Sequence, residues 1–397
     1  MRQELLNCLV GVEDLTGLLK SAFVGKDELV ELIATAAVAQ EHVLIIGPPG
    51  TAKSELIKRF SLLCSTDGGQ TGNAYFEYLL TRFTEPNEIF GPVNIRAFQE
   101  GGGHRRVTDG MLPRAEIAFL DEVFKANSAI LNALLTILNE RVFYNGGRPE
   151  PVPLICAIGA SNEVPDDASL AALYDRFLVR LWTDNVEEAR FGELFSRGWQ
   201  LERDRIGSGN KMELGNVTTT AALRTLHRSL DEVNVDKIGR DYREVIRRIR
   251  AEGIDLSDRR VIKLLKLIAA SAIRRKSTEA NPGDFWVLKH VWNNPDQIPH
   301  LRSIVDPYLE AYADVQWKSE RGIDAIGGDV QILQARHREL RTDADYADFL
   351  RQAEHLRQEL LRHTEDEPTR VALIDKIKSL IEAVMQILEQ QSLNGAA

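Results

Sequence analysis

Eight consecutive residues that follow a short apolar run have the types and spacing of a phosphate-binding loop. They match the pattern G-x-x-x-x-G-K-[ST], except that alanine replaces the last glycine. The eight are Gly47, Pro48, Pro49, Gly50, Thr51, Ala52, Lys53 and Ser54. In such a loop, backbone N–H groups at a helix N-terminus form a concave anion site. Lys53 would add a positive charge for the β- and γ-phosphates, and Ser54 would offer a hydroxyl ligand to Mg²⁺.

The order of elements around this loop favours a phosphate site over the alternative, a Gly/Pro turn with a surface lysine. An apolar strand is predicted at residues 43–46, and residues 54–63 after the loop have helical spacing. Strand, loop, Lys-Ser pair and helix therefore follow one another as phosphate binding requires. Ala52 is expected to be tolerated, on the assumption that this residue already has a helical conformation.

A pair of carboxylates ends another apolar segment. Residues 117–120 are apolar, and Asp121 and Glu122 follow them directly. Strand ends of this kind lie at the sheet edge where ligands bind in open α/β sheets. We expect Asp121 to complete the Mg²⁺ shell and Glu122 to polarise the attacking water. An apolar run followed by Asp-Glu is common alone, but about 70 residues after a phosphate loop it becomes specific.

Asn162 follows a fourth predicted strand at residues 154–158. Its side chain could hydrogen-bond the catalytic water or the γ-phosphate and so report that the phosphate is present. In isolation, an asparagine that caps a turn would be the better interpretation. The order of elements favours the sensor.

Several arginines are candidates for contacting phosphate. Arg176 precedes the fifth predicted strand and could act as an arginine finger on the γ-phosphate of a neighbouring subunit. Arg180 is the runner-up, because its place within a strand pattern suits a structural pair. Arg259 or Arg260, in a helix that Ser257 would cap, could act as a second sensor. Adjacent helical residues point about 100° apart, so only one is expected to do so, and Arg259 is the candidate.

The elements that must position these residues alternate between strand and helix over about residues 1–184. The predicted strands are residues 43–46, 75–80, 117–120, 154–158 and 177–182, and helices are predicted at 54–63 and 129–138. Alternation of this kind predicts a parallel sheet covered on both faces, and hence an α/β core.

Two regions with little strand character follow the core. Residues 185–299 contain helical stretches at 221–233 and 261–273 and are predicted to form an α-helical lid. Residues 300–397 are helical and polar, with two apolar sets at coiled-coil spacing. The sets are Tyr346, Phe349, Ala353, Leu356 and Leu360, and Ile374, Ile377, Ile381, Val384 and Leu388. They predict either an antiparallel helical hairpin, for assembly or partner docking, or a helix pair packed on the lid.

Composition and charge exclude several classes of protein. With 44% hydrophobic and 27% charged residues, the chain is typical of a soluble globular protein and too apolar for a disordered one. Its formal net charge of −10 weighs against nucleic acid or anionic lipid as the main partner. Three scattered cysteines, no signal pattern and no apolar run near the roughly 20 residues that span a bilayer predict a cytoplasmic protein.

Together these motifs resemble those of the AAA+ ATPases. Four further segments narrow the resemblance to the MoxR family, closest to its RavA branch. They are residues 78–92 (Tyr-Leu-Leu-Thr-Arg-Phe-Thr-Glu-Pro-Asn-Glu-Ile-Phe-Gly-Pro), 110–116, 134–141 and 169–180. The resemblance covers about residues 20–299.

The resemblance implies properties that spacing and composition do not. It implies a homo-oligomeric ring, usually a hexamer, with Mg²⁺ and ATP at each subunit interface. Val24 and Gly25 would border the adenine, and residues 91–110, with Gly101, Gly102 and Gly103, would form a hairpin insert. It also implies a chaperone-like role in remodelling or maturing a protein client, with a von Willebrand factor A (VWA) domain protein as partner.

Two other functions stay open at this stage. The chain could bind nucleotide as a scaffold with little turnover, although the complete Asp121-Glu122 pair argues against this. It could instead be a nucleic-acid motor or restriction-type subunit, with His104, Arg105 and Arg106 of the insert on phosphate. The net acidity makes an exposed, solvated turn the better interpretation of that short run.

Overall fold

The computed structural model describes the chain in two compact units, Met1–Ala313 and Asp314–Ala397. The residues described are 3–65, 75–99, 104–165, 167, 170–207, 217–312, 323–337, 346, 349, 350, 353, 356, 357, 360 and 367–394. Gly101, Gly102 and Gly103 of the predicted insert lie outside the described residues, as do residue 169 and most of 338–366.

The first unit contains all nine strands of the described part of the chain. They are β1 (Val43–Ile46), β2 (Cys64–Ser65), β3 (Tyr75–Leu79), β4 (Ile117–Asp121), β5 (Val142–Asn145), β6 (Arg148–Pro151), β7 (Cys156–Ser161), β8 (Val179–Trp182) and β9 (Thr218–Thr219). Five of them form a parallel sheet in the order β3-β4-β7-β1-β8. β5 and β6 form an antiparallel hairpin, and β2 and β9 form a short parallel pair.

Fourteen α-helices have defined bounds in the described part of the chain. They are α1 (Gln3–Ala22), α2 (Asp27–Ala39), α3 (Lys53–Leu63), α4 (Pro86–Phe90), α5 (Ile95–Gln99), α6 (Ser128–Glu140), α7 (Ala171–Tyr174), α8 (Phe191–Gly207), α9 (Thr220–Arg228), α10 (Gly239–Ala251), α11 (Asp258–Arg274), α12 (Ile298–Glu310), α13 (Ile323–Arg336) and α14 (Glu367–Asn394). None of the described helices is both long and apolar enough to cross a membrane.

The central strands are apolar because helices cover the sheet on both sides. All four residues of β1 and all six of β7 are buried, as parallel sheets require. The prediction of an α/β fold with a parallel sheet is confirmed. β7 starts at Cys156 and β8 at Val179, each two residues after the predicted start, because the preceding apolar residues pack in the core outside the ladder.

Helices α9 to α12 form the lid-like part of the first unit. The predicted cap of α11 is confirmed, since the Ser257 hydroxyl accepts from the backbone N–H of Arg260 at 3.3 Å. Two lysines of α11, Lys263 and Lys266, pair with the buried carboxylate of Glu41 at 2.8 and 2.5 Å. α11 is therefore anchored to the end of α2, on the core.

The second unit has its own apolar cluster. Val330 and Leu333 of α13 are buried with members of both predicted seams, including Phe349 and Ile377. Gly327 and Gly328 lie inside α13, so the segment before the seams is helical at this point. The side chain of Leu388 lies outside the described residues.

Candidate functional site

The phosphate loop connects β1 to α3 and begins at a residue that must be glycine. A Cβ on Gly47 would lie 1.9 Å from the carbonyl oxygen of Thr183, so any side chain would clash. Parallel pairing places Ser161 of β7 beside Ile46 of β1, and the Gly47 N–H donates to the Ser161 carbonyl at 3.2 Å. The end of β7 therefore lies directly beside the start of the loop.

Ala52 has a backbone conformation that the sequence did not predict. Its φ and ψ are 61° and 21°, in the left-handed region, so the expectation that it is already helical is wrong. Alanine adopts this region at a steric cost that glycine does not bear. The alanine therefore keeps the glycine conformation of the loop.

Lys53 is held over the loop by two backbone carbonyls. Its Nζ donates to Gly47 at 2.7 Å and to Pro48 at 2.9 Å, and the side chain is 8% exposed. Burial lowers the pKa of Lys53, while the carboxylates of Asp121 and Glu122 act in the opposite direction. Lys53 contacts Gly47, whose N–H donates to the carbonyl of Ser161, and the next residue, Asn162, contacts Glu122. The lysine and the acidic pair therefore belong to one site.

The acidic pair ends β4, as predicted, but its backbone turns sharply. Glu122 has φ 51° and ψ 44°, a left-handed conformation that costs a non-glycine residue about 1–3 kcal/mol. Its N–H donates to the carboxylate of Asp121 at 2.9 Å. The left-handed turn takes Glu122 out of the regular alternation of the strand.

Two side chains hold the carboxylate of Glu122. Asn162 Nδ2 donates to Oε1 of Glu122 at 2.5 Å, and Lys125 Nζ pairs with the same oxygen at 3.2 Å. Asn162 is therefore placed beside the predicted general base. Sequence reasoning missed Lys125, although its place three residues after Glu122 was a usable signal.

The residues of the site fit Mg²⁺ and a nucleoside triphosphate. Ser54 opens α3 beside Lys53, and Asp121 lies within electrostatic reach of that lysine. Hydroxyl and carboxylate oxygens are ligands that Mg²⁺ prefers, and the N-terminus of an 11-residue helix suits phosphate. The Thr51 hydroxyl, which donates to the carbonyl of Pro48 at 3.1 Å, closes the loop on itself.

Arg176 and Arg259 line one small cleft, together with Asp175, Leu178, Arg260 and Lys263. Arg176 is half-buried, and its guanidinium pairs with the carboxylate of Asp175 at 3.7 Å. Arg259 is exposed and contacts the side chain of Asn139 at the end of α6. No residue of the phosphate loop lines this cleft. The cleft thus brings together the two arginines predicted to contact phosphate, Arg176 on the core and Arg259 on the lid.

Their two rivals are structural. Arg180 is 1% exposed, donates to the carbonyls of Trp292 and Tyr174, and stacks over the Tyr174 ring. Arg260 is 4% exposed and donates to the carbonyls of Leu178, Val291 and Asp255. Burial lowers the pKa of both guanidinium groups. Neither could reach a second subunit without breaking these bonds.

Val24 and Gly25 lie in the turn between α1 and α2, with Val24 buried and Gly25 exposed. The next residue, Lys26, donates from Nζ to the Thr183 hydroxyl and to the Asp184 carbonyl, both at 2.7 Å. Thr183 also packs on Gly47, so this turn borders the start of the phosphate loop. Sequence reasoning missed Lys26, because its partners lie more than 150 residues away.

The predicted insert is anchored at its base. Val93 and Arg106 form an antiparallel bridge, and Arg106 Nη1 donates to Asn87 at 2.6 Å and to the Gly91 carbonyl at 2.7 Å. α5 lies within the insert. His104 is exposed and Arg105 half-buried.

The fold and the site together define the AAA+ class of P-loop ATPases. The five-stranded parallel sheet has a phosphate loop after β1, a carboxylate suited to Mg²⁺ at the end of β4 and an asparagine after β7, and a helical lid is attached to it. A family model described as the MoxR domain in the MoxR-vWA-beta-propeller ternary systems matches residues 11–225, and an AAA lid domain model matches residues 222–305. The chain belongs to the MoxR family of AAA+ ATPases.

Three proteins and one solved structure are similar to this chain. Two uncharacterized proteins of Methanocaldococcus jannaschii are similar over most of their length. MJ0812 is 38% identical, over 79% of this chain and 80% of its own length. MJ0079 is 36% identical, over 75% of this chain and 74% of its own length. Chaperone MoxR1 of Mycobacterium tuberculosis is 28% identical over 41% of each chain. A crystal structure of a candidate ATPase from Cytophaga hutchinsonii superposes with a TM-score of 0.59 at 16% identity, covering 78% of this chain and 96% of that one, and supports the fold.

Proposed function

We propose that this protein hydrolyses ATP with Mg²⁺ at the site formed by the phosphate loop, Asp121, Glu122 and Asn162. The observation that carries the proposal is the carboxylate of Glu122, held at 2.5 Å by Asn162 beside the loop that carries Lys53. A positioned carboxylate next to a phosphate cradle is what activation of water for phosphoryl transfer requires.

Each side chain has a distinct task in this proposal. Glu122 orients the attacking water and takes its proton, while Asn162 and Lys125 fix the carboxylate. Lys53 stabilises the negative charge of the phosphates. Ser54 and Asp121 would hold Mg²⁺, which when bound neutralises charge on the phosphate oxygens.

The arginine cleft supports completion of the site by a neighbouring subunit. Arg176 and Arg259 share a cleft that the residues of their own phosphate loop do not line. Both would therefore act on the γ-phosphate held by a neighbour, as arginine fingers do. A head-to-tail contact of this kind closes into a ring, and a hexamer is the proposed form.

We further propose a chaperone-like role in the cytoplasm, in which hydrolysis remodels or matures a protein client. The name of the mycobacterial relative, Chaperone MoxR1, supports the chaperone-like role. The family model described by MoxR-vWA-beta-propeller systems supports a VWA domain partner. Arg106 is committed to bonds at the base of the insert, which favours a protein client over nucleic acid. The closeness to the RavA branch remains part of this proposal.

Phosphate release by the full chain, with ATP and Mg²⁺, tests the activity. Lys53→Ala should abolish nucleotide binding, whereas Glu122→Gln should keep binding and lose roughly 10²–10⁴-fold in turnover. Arg228→Ala is the matched control, because Arg228 is an exposed lid arginine whose contacts are within α9. Unchanged turnover in Glu122→Gln would favour the nucleotide-binding scaffold and overturn the proposed hydrolysis.

A further inference from the structure

Arg190 lies against the glycine turn beside the phosphate loop, and no motif in the sequence pointed to it. A Cβ built on Gly25 would meet one neighbouring atom within 4 Å, Nη1 of Arg190 at 3.4 Å. Gly25 has φ +70°, so the backbone at this turn already favours glycine. The Gly25 backbone and the Arg190 guanidinium therefore form one continuous surface.

This surface adjoins the phosphate loop. The segment of residues 183–190 after β8 contacts the turn of residues 24–26 at both ends of the segment. Thr183 and Asp184 accept hydrogen bonds from Lys26, and Arg190 lies against Gly25. Thr183 is also the residue that packs on Gly47. A nucleoside attached to phosphates on this loop must extend past one edge of it, and this turn forms the edge next to Gly47.

The guanidinium is fixed and accessible. Its Nε and Nη2 both donate to one carboxylate oxygen of Glu193, at 3.0 and 2.8 Å. Glu193 also pairs with Arg197 at 2.9 Å, and Arg197 donates to the carbonyls of Lys20 and Ser21 at the end of α1. The Arg190 side chain nevertheless stays 34% exposed. A planar cation held in this way is available to a ligand on the turn.

We propose that Arg190 is a base-binding residue, whose guanidinium contacts the purine of the bound nucleotide and forms one wall of its pocket with Gly25. This inference rests on the proposed ATP site. A guanidinium can stack on the face of an aromatic ring or, from the ring's edge, donate N–H groups to ring nitrogens that lie in its own plane. Lysine has neither the plane nor the fork and cannot replace it fully.

Calorimetric titration of the full chain with a non-hydrolysable ATP analogue, and separately with inorganic tripolyphosphate, tests the assignment. Arg190→Ala should bind the analogue roughly 3- to 30-fold more weakly, the range expected for loss of a cation–π contact, and bind tripolyphosphate as the wild type does. Arg190→Lys should recover only part of the loss. Arg228→Ala, the control, should bind both ligands normally.

The outcomes separate this inference from the function on which it rests. If wild-type protein binds neither ligand, the proposed ATP site is wrong. If wild-type protein binds the analogue and Arg190→Ala binds it equally well, or loses tripolyphosphate to the same extent, the base-binding role is wrong. Glu193→Gln keeps Arg190 but weakens the ion pair that holds it. If this variant loses as much affinity for the analogue as Arg190→Ala does, the effect comes from the local fold and the base-binding role is wrong.

Discussion

The arginine cleft leads to a quantitative prediction about mixed oligomers. Arg176→Ala and Glu122→Gln should each be nearly inactive alone, since an arginine finger is worth about 10³–10⁵ in rate and a general base about 10²–10⁴. The two lesions lie in different parts of the unit, because Arg176 lines a cleft without loop residues while Glu122 lies by the loop. Completion by a neighbour therefore predicts that the two inactive variants complement each other.

The size of the recovery follows from the head-to-tail geometry. In rings assembled at random from equal amounts of the two variants, half of the sites keep Glu122, and half of those face a neighbour that keeps Arg176. About one quarter of the sites are then complete, so the mixture should show about a quarter of wild-type turnover. The assay is steady-state phosphate release at fixed total protein, after the variants are mixed under conditions that allow subunit exchange.

A control mixture measures the turnover that remains when active sites are simply diluted by an inactive variant. Mixing Arg228→Ala with Glu122→Gln leaves every arginine finger intact, so about half of wild-type turnover should remain. If native mass spectrometry shows mixed oligomers and the Arg176→Ala mixture still has only the mean turnover of its two components, completion by a neighbour is refuted. Replacing Arg176→Ala by Arg259→Ala repeats the test for the second arginine of the cleft, which should complement equally well.

Three further predictions concern stability, each measured by urea denaturation. Ala52→Gly should raise the free energy of unfolding by about 0.5 kcal/mol, because relief of the left-handed alanine exceeds the entropy that glycine adds to the unfolded chain; a loss would contradict the backbone at this position. Asn127→Asp should lower the free energy of unfolding by about 1 kcal/mol, because aspartate still caps α6 but cannot donate to the carbonyl of Thr84. Asn127→Ala loses both contacts and should lower it further. Equal losses would refute a separate role for the bond to Thr84. Burial and nearby cations lower the pKa of His42 well below its usual range, so below about pH 6.5 the unfolded state takes up the proton first and stability falls by up to about 1.4 kcal/mol per pH unit. In His42→Gln this slope should shrink, and an unchanged slope would assign the acid sensitivity to other groups.

The parts of the site that local sequence determines were predictable. The phosphate loop and the Asp121-Glu122 pair each depend on a few neighbouring residues, so one stretch of sequence carries the signal. The fold class also followed from the alternation of strands and helices. Contacts between distant segments were not predictable, because they depend on which strands lie side by side. Lys26 on Thr183 and Arg190 on Gly25 are two such contacts, and neither leaves a pattern within a single stretch of sequence.

The conformation of individual residues was the second limit. Ala52 and Glu122 both adopt left-handed backbone, although neither residue type favours it. Their neighbours impose it, the loop on one and the end of β4 on the other. Two adjacent arginines, Arg259 and Arg260, show the same limit for side chains. Helical geometry predicted that they point apart, but only the packing around α11 decides which is buried.

The positions of Arg176 and Arg259 have a consequence for coupling between subunits. Arg176 belongs to the α/β core, whereas Arg259 lies on α11, which Lys263 and Lys266 tie to Glu41. If both arginines contact one γ-phosphate of a neighbour, that phosphate bridges the core and the lid of the subunit that reads it. Its loss would then change the force between core and lid in that subunit and not in the one that hydrolysed it. Because α11 is anchored at Glu41, these two ion pairs transmit any such motion between the lid and the core. Glu41→Gln should therefore weaken the dependence of one site's turnover on its neighbour's, seen as a lower Hill coefficient for ATP, while turnover of an isolated complete site stays the same.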